Sequence, residues 1–205
     1  SDSALCLGES VNLVNTSNSA SGAISAWQWS LGNNQTSSQY SPSVTYVSAG
    51  TYPVVLIGTT SLGCSDTAYA NVVVNALPTA TISGTTSICA GNTTTITING
   101  TPNSVVNYTI NGGANQTISL STAGTATLTT QPLSVNTTYA LVSVTSGITT
   151  CSQPQTGSAI ITINALPTAT ISGTTSICTG TTAQITFTGT PNATVTYTVD
   201  GGANQ

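Results

Sequence analysis

Almost every segment of this chain alternates apolar residues with Thr, Ser or Asn at period two. Thr95–Ile98, Tyr108–Ile110, Ile118–Leu120 and Tyr139–Val144 are examples. Alternation of that kind marks half-buried strands. Turn signals separate the segments: Thr101-Pro102-Asn103, Asn111-Gly112-Gly113 and Ala123-Gly124. Asn111-Gly112, flanked by alternating residues, is a strong hairpin signal. No window spaces its apolar residues by three and four over the length of a helix. The longest apolar runs, Tyr52–Ile57 and Ala159–Ile163, are far shorter than the roughly 20 residues a membrane helix needs.

The pattern also repeats. Residues 76–116 and 165–205 are related by an offset of 89 residues, and 30 of their 41 positions are identical. A period of that size suits one small domain rather than a solenoid turn. Three units follow, 1–75, 76–164 and 165–205, and the last reads as the N-terminal half of a second copy. The edges fall at Asn75-Ala76-Leu77-Pro78 and Asn164-Ala165-Leu166-Pro167. Neither has a Gly/Ser-rich linker, and each proline fixes φ where the next strand begins. About seven short strands per unit describe an immunoglobulin-like sandwich. The fold class expected is therefore all-β, with tandem sandwiches joined tightly into an elongated rod. Unit two has thirteen residues before its first cysteine and unit one has five, so the opening strand of unit one is expected to be missing.

Composition removes whole classes of function. The chain has no Lys, Arg or His, and only four acids, so 2% of residues are charged where about a quarter is usual. Without basic residues there is no counter-ion site for phosphate, which excludes nucleic acid and anionic membranes as partners. No base is present to activate a Ser or Thr hydroxyl, and the acids Asp2, Glu9, Asp66 and Asp200 are scattered over three units. No catalytic residues, metal ligands or cofactor are expected, and the chain reads as a non-enzyme.

Cysteine spacing adds a candidate covalent framework. Each unit carries C-x-G, at Cys6, Cys89 and Cys178, and a second cysteine follows the first two at Cys64 and Cys151. The recurring spacing implies the pairs Cys6–Cys64 and Cys89–Cys151. By the same spacing the partner of Cys178 lies beyond the fragment, at about position 240. A staple closing a loop of that size stabilises a domain by about 4 kcal/mol in chain-entropy terms. Disulfides persist in oxidising surroundings, which points to an extracellular chain.

The first unit carries a more specific signature. Trp27–Asn33, Tyr40–Tyr46, Ala49–Leu56, the turn Gly63-Cys64-Ser65-Asp66 and Ala70–Val74 occur in that order. The order resembles a PKD domain, in which the turn after the tryptophan strand carries an aspartate; here it reads Gly32-Asn33-Asn34. With the Thr-rich repeats behind it, the whole architecture resembles the giant surface adhesins of Bacteroidota, including gliding-motility adhesins exported by type IX secretion. That resemblance implies a cell-surface stalk that transmits force and displays an adhesive region elsewhere. Its partners would be neighbouring repeats, the secretion or motility machinery, and surface glycans. Asp2-Ser3-Ala4 and Asp66-Thr67-Ala68 look like the D-[ST]-[AILMV] acceptor of that phylum, making Ser3 and Thr67 candidate O-glycosylation sites. Two rival readings are a carbohydrate-binding accessory module of a secreted hydrolase, with Trp27 and Trp29 as its candidate platform, and a self-polymerising fibre subunit. The core is the stronger reading for the tryptophans, one ring inside the sandwich and the other at its edge. Tyr52 and Tyr139 precede apolar alternation on a late strand, where a core or tyrosine-corner role is expected.

The missing basic residues yield a direct test. Trypsin leaves this chain uncut even after denaturation, as mass spectrometry of the digest will show; any tryptic fragment contradicts it.

Overall fold

The computed structural model describes residues 3–20, 22–173 and 175–202. Among them every regular element is a strand. The first unit holds β1 (Ser3–Cys6), β2 (Ser10–Asn12), β3 (Ile24–Ser30), β4 (Thr36–Ser37), β5 (Ser43–Thr45), β6 (Gly50–Thr60) and β7 (Ser65–Asn75). One sheet runs β1-β7-β6-β3-β4, and β2 pairs with β5 across from it. Between the layers lie Trp29, Leu31, Val44, Tyr46, Val54, Val72 and Val74. These are the inward positions of the alternation, so the period-two pattern is the sandwich core seen edge-on.

The second unit holds β8 (Ala80–Ser83), β9 (Thr86–Cys89), β10 (Thr95–Gly100), β11 (Val105–Ile110), β12 (Gln116–Ser119), β13 (Thr125–Thr129), β14 (Thr137–Thr145), β15 (Ser152–Pro154) and β16 (Ser158–Asn164). Its sheets run β13-β10-β8 and β12-β11-β14-β16-β9, with β15 beside β14. Ile96, Ile98, Val106, Val144 and Ile161 are fully enclosed between them. The opening segment of this unit serves both layers. β8 pairs antiparallel with β10, then the chain crosses over and β9 runs parallel to β16. In the first unit β1 runs parallel to β7 in the same way. The third unit contributes β17 (Ala169–Ser172) and β18 (Thr186–Gly189), whose register Ala169↔Gly189 copies Ala80↔Gly100 of the second.

Local chemistry explains the turns and exceptions. Asn111 and Gly112 both have positive φ, and the Gly113 N–H donates to the Ile110 carbonyl at 2.9 Å. That is the type I′ geometry Asn-Gly favours. Pro53 sits inside β6, a central strand that ordinarily excludes proline. Pairing of β6 with β3 stops at Ser30↔Val55, so the missing N–H of Pro53 faces no partner strand. Gly32 fills the space beyond: its φ is +76°, and a Cβ there would lie 2.7 Å from the Pro53 carbonyl oxygen.

Two tyrosines tie the first core together. The Tyr52 hydroxyl donates back to the Ser48 carbonyl at 2.8 Å, forming a tyrosine corner at the start of β6. Its ring stacks on Tyr46 with centroids 4.0 Å apart. Tyr46, 1% exposed, donates its own hydroxyl to the Leu31 carbonyl at 2.9 Å. In the second unit Tyr139 is buried beside Tyr108. Burial, and then the neighbouring phenol, pushes both Tyr46 and Tyr139 above the ordinary tyrosine pKa of 10.0.

Below that pKa both phenols are protonated in folded and unfolded chains, so they add no pH dependence. Above it the unfolded chain ionises first and stability falls as pH rises, by up to about 1.4 kcal/mol per pH unit per group. Urea titrations on alkylated protein are therefore expected to give nearly constant stability from about pH 7 to 9 and a decline above about pH 10. Tyr46→Phe should cost the first unit about 1–2 kcal/mol at neutral pH, because the Leu31 carbonyl loses its buried donor, and should shallow the alkaline decline. An unchanged alkaline slope would contradict the assignment.

Candidate functional site

The C-x-G motif is a turn. In Cys6-Leu7-Gly8-Glu9, Gly8 has φ +90° and the Glu9 N–H donates to the Cys6 carbonyl at 3.0 Å. A turn with positive φ at its third position takes glycine, which is why the motif keeps Gly two residues after Cys. The Glu9 carboxylate accepts the Cys6 N–H at 2.8 Å and closes the turn from the other side. Gly91 and Gly180 repeat the conformation, both at φ +85°. Their turns close by Asn92 N–H to Cys89 carbonyl at 3.2 Å and Thr181 N–H to Cys178 carbonyl at 3.1 Å.

The turns at Cys6 and Cys89 lie at the C-terminal pole of their units. Cys6 is in register with Asn75, and the Leu7 N–H donates to the Asn75 carbonyl at 2.9 Å. Cys89 is in register with Asn164, with Ala90 N–H to Asn164 carbonyl at the same 2.9 Å. The second cysteine of each unit lies at the other pole. Cys64 is in the turn joining β6 to β7, where its carbonyl accepts the Thr60 N–H at 2.8 Å. Cys151 is in the loop after β14, and its carbonyl accepts the Ser146 N–H at 2.8 Å.

That polarity corrects the pairing expected from spacing. Cys64 precedes Ser65 and Cys6 lies beside Asn75, so nearly all of β7 separates them, roughly 33 Å at the rise of a strand. A disulfide needs Cα atoms within about 7 Å. Cys89 and Cys151 are held apart in the same way, along β16 and β14. Cys6–Cys64 and Cys89–Cys151 therefore do not form. Cys6 of the first unit bonds instead to Cys151 of the second, with Cα atoms 5.6 Å apart. Cys64, Cys89 and Cys178 are free and exposed.

The junction is built to bring those two together. Pro78 is fully buried, and its carbonyl accepts the Gln153 Nε2 at 2.6 Å. The Ala80 N–H donates to Gln155 Oε1 at 3.2 Å. Both glutamines follow Cys151 by a few residues, so they hold the cysteine loop against the entry of the second unit. Asn75, the last residue of β7, holds Cys6 at the exit of the first. Sequence reading missed Gln153 and Gln155, because their partners lie 75 residues away and no local motif marks them.

The remaining candidates are dispersed. Trp27 and Trp29 share one face of β3, two residues apart. Trp29 is buried in the core and its indole N–H donates to the Gln39 carbonyl at 2.9 Å. Trp27 is half-buried, its ring edge-on to exposed Tyr40 at 5.0 Å, and its N–H donates to Ser17 Oγ at 3.3 Å. Thr67 is exposed on β7, its N–H donating to the Asp66 carboxylate at 2.8 Å. Asp2 and the Ser3 side chain lie outside the described residues. Among the described residues no three His, Cys, Asp or Glu side chains are grouped as a metal site.

Two facing layers with crossed-over opening strands define immunoglobulin-like β-sandwich modules in tandem. The first is more particular. Residues 1–74 match the PKD domain family. The pre-pro-metalloprotease PrtV of Vibrio cholerae serotype O1 is 42% identical over 76 residues, which are 36% of this chain and 8% of the relative's length. The crystal structure of the PKD1 domain of the Vibrio cholerae metalloprotease PrtV is 31% identical, covering 34% of this chain and 95% of that one, with a TM-score of 0.30. The fibronectin(III)-like modules of Clostridium thermocellum CbhA are 15% identical, covering 80% of this chain and 90% of theirs, with a TM-score of 0.40.

Thiol counting separates the two pairings. Denatured, unreduced polypeptide of residues 1–205 alone should bind about three equivalents of a thiol reagent for Cys64, Cys89 and Cys178, whereas the intra-unit pairing leaves one. Peptic mapping should recover Cys6 joined to Cys151.

Proposed function

We propose that this chain is a stalk segment of a large extracellular bacterial surface adhesin, carrying load to an adhesive region elsewhere in the protein. The observation that supports it most is the covalent bridge across the unit boundary. Tension entering before Cys6 passes through the sulfur–sulfur bond to Cys151 and bypasses the folded residues between them. Most of two sandwiches is thereby kept out of the load path. The buried Pro78 and the glutamine clasp support the same reading, because they leave little free linker to flex. The disulfide is consistent with an oxidising setting such as the cell exterior. Partners consistent with this role are the adjoining repeats and a secretion and motility machinery of the type IX kind, with Thr67 as an exposed candidate for O-glycosylation.

Single-molecule pulling on the chain ends tests the reading. The bridge encloses a sequence separation of 145 residues. Reduction should therefore raise the contour length released on unfolding by about 500 Å, at roughly 3.5 Å per residue. An equal release with and without reductant overturns the load-bearing role.

One observation favours a second reading, a carbohydrate-binding accessory module. Trp27 and Tyr40 form an aromatic edge beside an open groove lined by Gln28 and Gln39. Saturable binding on a glycan array, lost in Trp27→Ala, would establish it. The stalk reading expects no binding by this segment.

A further inference from the structure

Cys89 repeats every placement of Cys6. It ends the strand that runs parallel to the last strand of its unit, opens a C-x-G turn of the same conformation, and is in register with the last strand residue before the next junction. Cys6 is bonded to the loop cysteine of the unit that follows it. Cys89 is exposed at the equivalent pole, where the third unit begins. Cys64 in turn repeats Cys151, a loop cysteine whose carbonyl accepts the N–H at the end of the preceding strand.

We propose that Cys6–Cys151 is one rung of a ladder, in which Cys89 bonds to a loop cysteine of the following unit placed as Cys151 is in the second. Each rung joins neighbouring units and none lies within a unit. The turn supplies the thiol at the exit pole, and the loop supplies the thiol at the entry pole of the next. The assignment reverses the bookkeeping of spacing: a loop cysteine of the following unit belongs to Cys89, not to Cys178.

The chemistry balances as an ordinary oxidation. The Cys89 and loop-cysteine thiols lose two protons and two electrons as the sulfur–sulfur bond forms. The disulfide of a thiol–disulfide oxidoreductase accepts them and becomes a dithiol. The assignment does not depend on the stalk reading, since rungs of this kind lock a tandem array whatever it carries.

Peptide mapping of the full-length protein tests it. Thiols are alkylated before denaturation and digestion uses pepsin, because no tryptic site exists in these units and low pH suppresses exchange. Ala90 and Asn92 distinguish the Cys89 peptide from the Cys178 peptide, which carries Thr179 and Thr181. The expected product joins the Cys89 peptide to the loop peptide of the following unit of the same chain. Cys89 found alkylated, joined to Cys151, or joined across two chains in an isotope-mixed sample overturns the ladder. Cys89→Ser provides a second arm: it should add one alkylated loop cysteine per molecule and leave Cys6–Cys151 intact. An unchanged count of alkylated thiols overturns it as well.

Discussion

The two cysteines of each unit stand at opposite ends of a sandwich, and the rest of the architecture depends on that separation. It arises because the opening strand is shared between sheets. The half that pairs parallel with the last strand, β1 with β7 and β9 with β16, must finish where the last strand finishes. Its cysteine therefore emerges at the exit. The loop that leads from β6 into β7, or from β14 towards β16, lies at the other end of that last strand, at the entry. A bond between them within one unit would have to span the sandwich, which no disulfide can do. Between consecutive units the same two positions meet. The covalent framework thus links modules and leaves each module to be stabilised by its own core.

That division suits the composition. With no Lys, Arg or His, no side-chain ion pair can brace the domain boundary. What remains are apolar burial, backbone ladders, amide side chains and sulfur. Each core is a complete apolar filling between two layers, and the junction is held by Gln153 and Gln155 on backbone groups of the linker. The disulfide adds a chain-entropy contribution of about 5 kcal/mol for a separation of 145 residues. That is comparable with the whole stability of a small domain, and it acts on the relation between domains.

Much of the fold was legible in the residues. Period-two alternation located the core strands, Asn111-Gly112 marked a type I′ turn, and Tyr52 stood where a tyrosine corner forms. The ordered elements from Trp27 to Val74 identified the PKD unit. The disulfide partners were not legible, for a specific reason. In a tandem array spacing is ambiguous by one period, so a recurring C-x-G and a later cysteine fit a partner in the same unit or in the next. Only the parallel register of the opening strand, which leaves no mark in a single sequence, decides between them. The glutamine clasp was hidden similarly, because side-chain to backbone bonds across 75 residues have no local signature.

Order of synthesis sharpens why the poles matter. Cys64 follows Cys6 after 58 residues, long before Cys151 exists, so the wrong partner is available first. In an unfolded chain the shorter loop closes more readily. Folding of the first sandwich favours the native pairing, since it carries Cys64 and Cys6 to opposite ends and removes the competing bond. The long two-stranded pairing of β6 with β7, ten residue pairs from Gly50↔Val74 to Thr59↔Ser65, is the element that separates them. It is a local hairpin, and local contacts form early. Domain folding thus acts as the proofreading step for the inter-unit bond, and the same strand that fills the core sets where the covalent link can go.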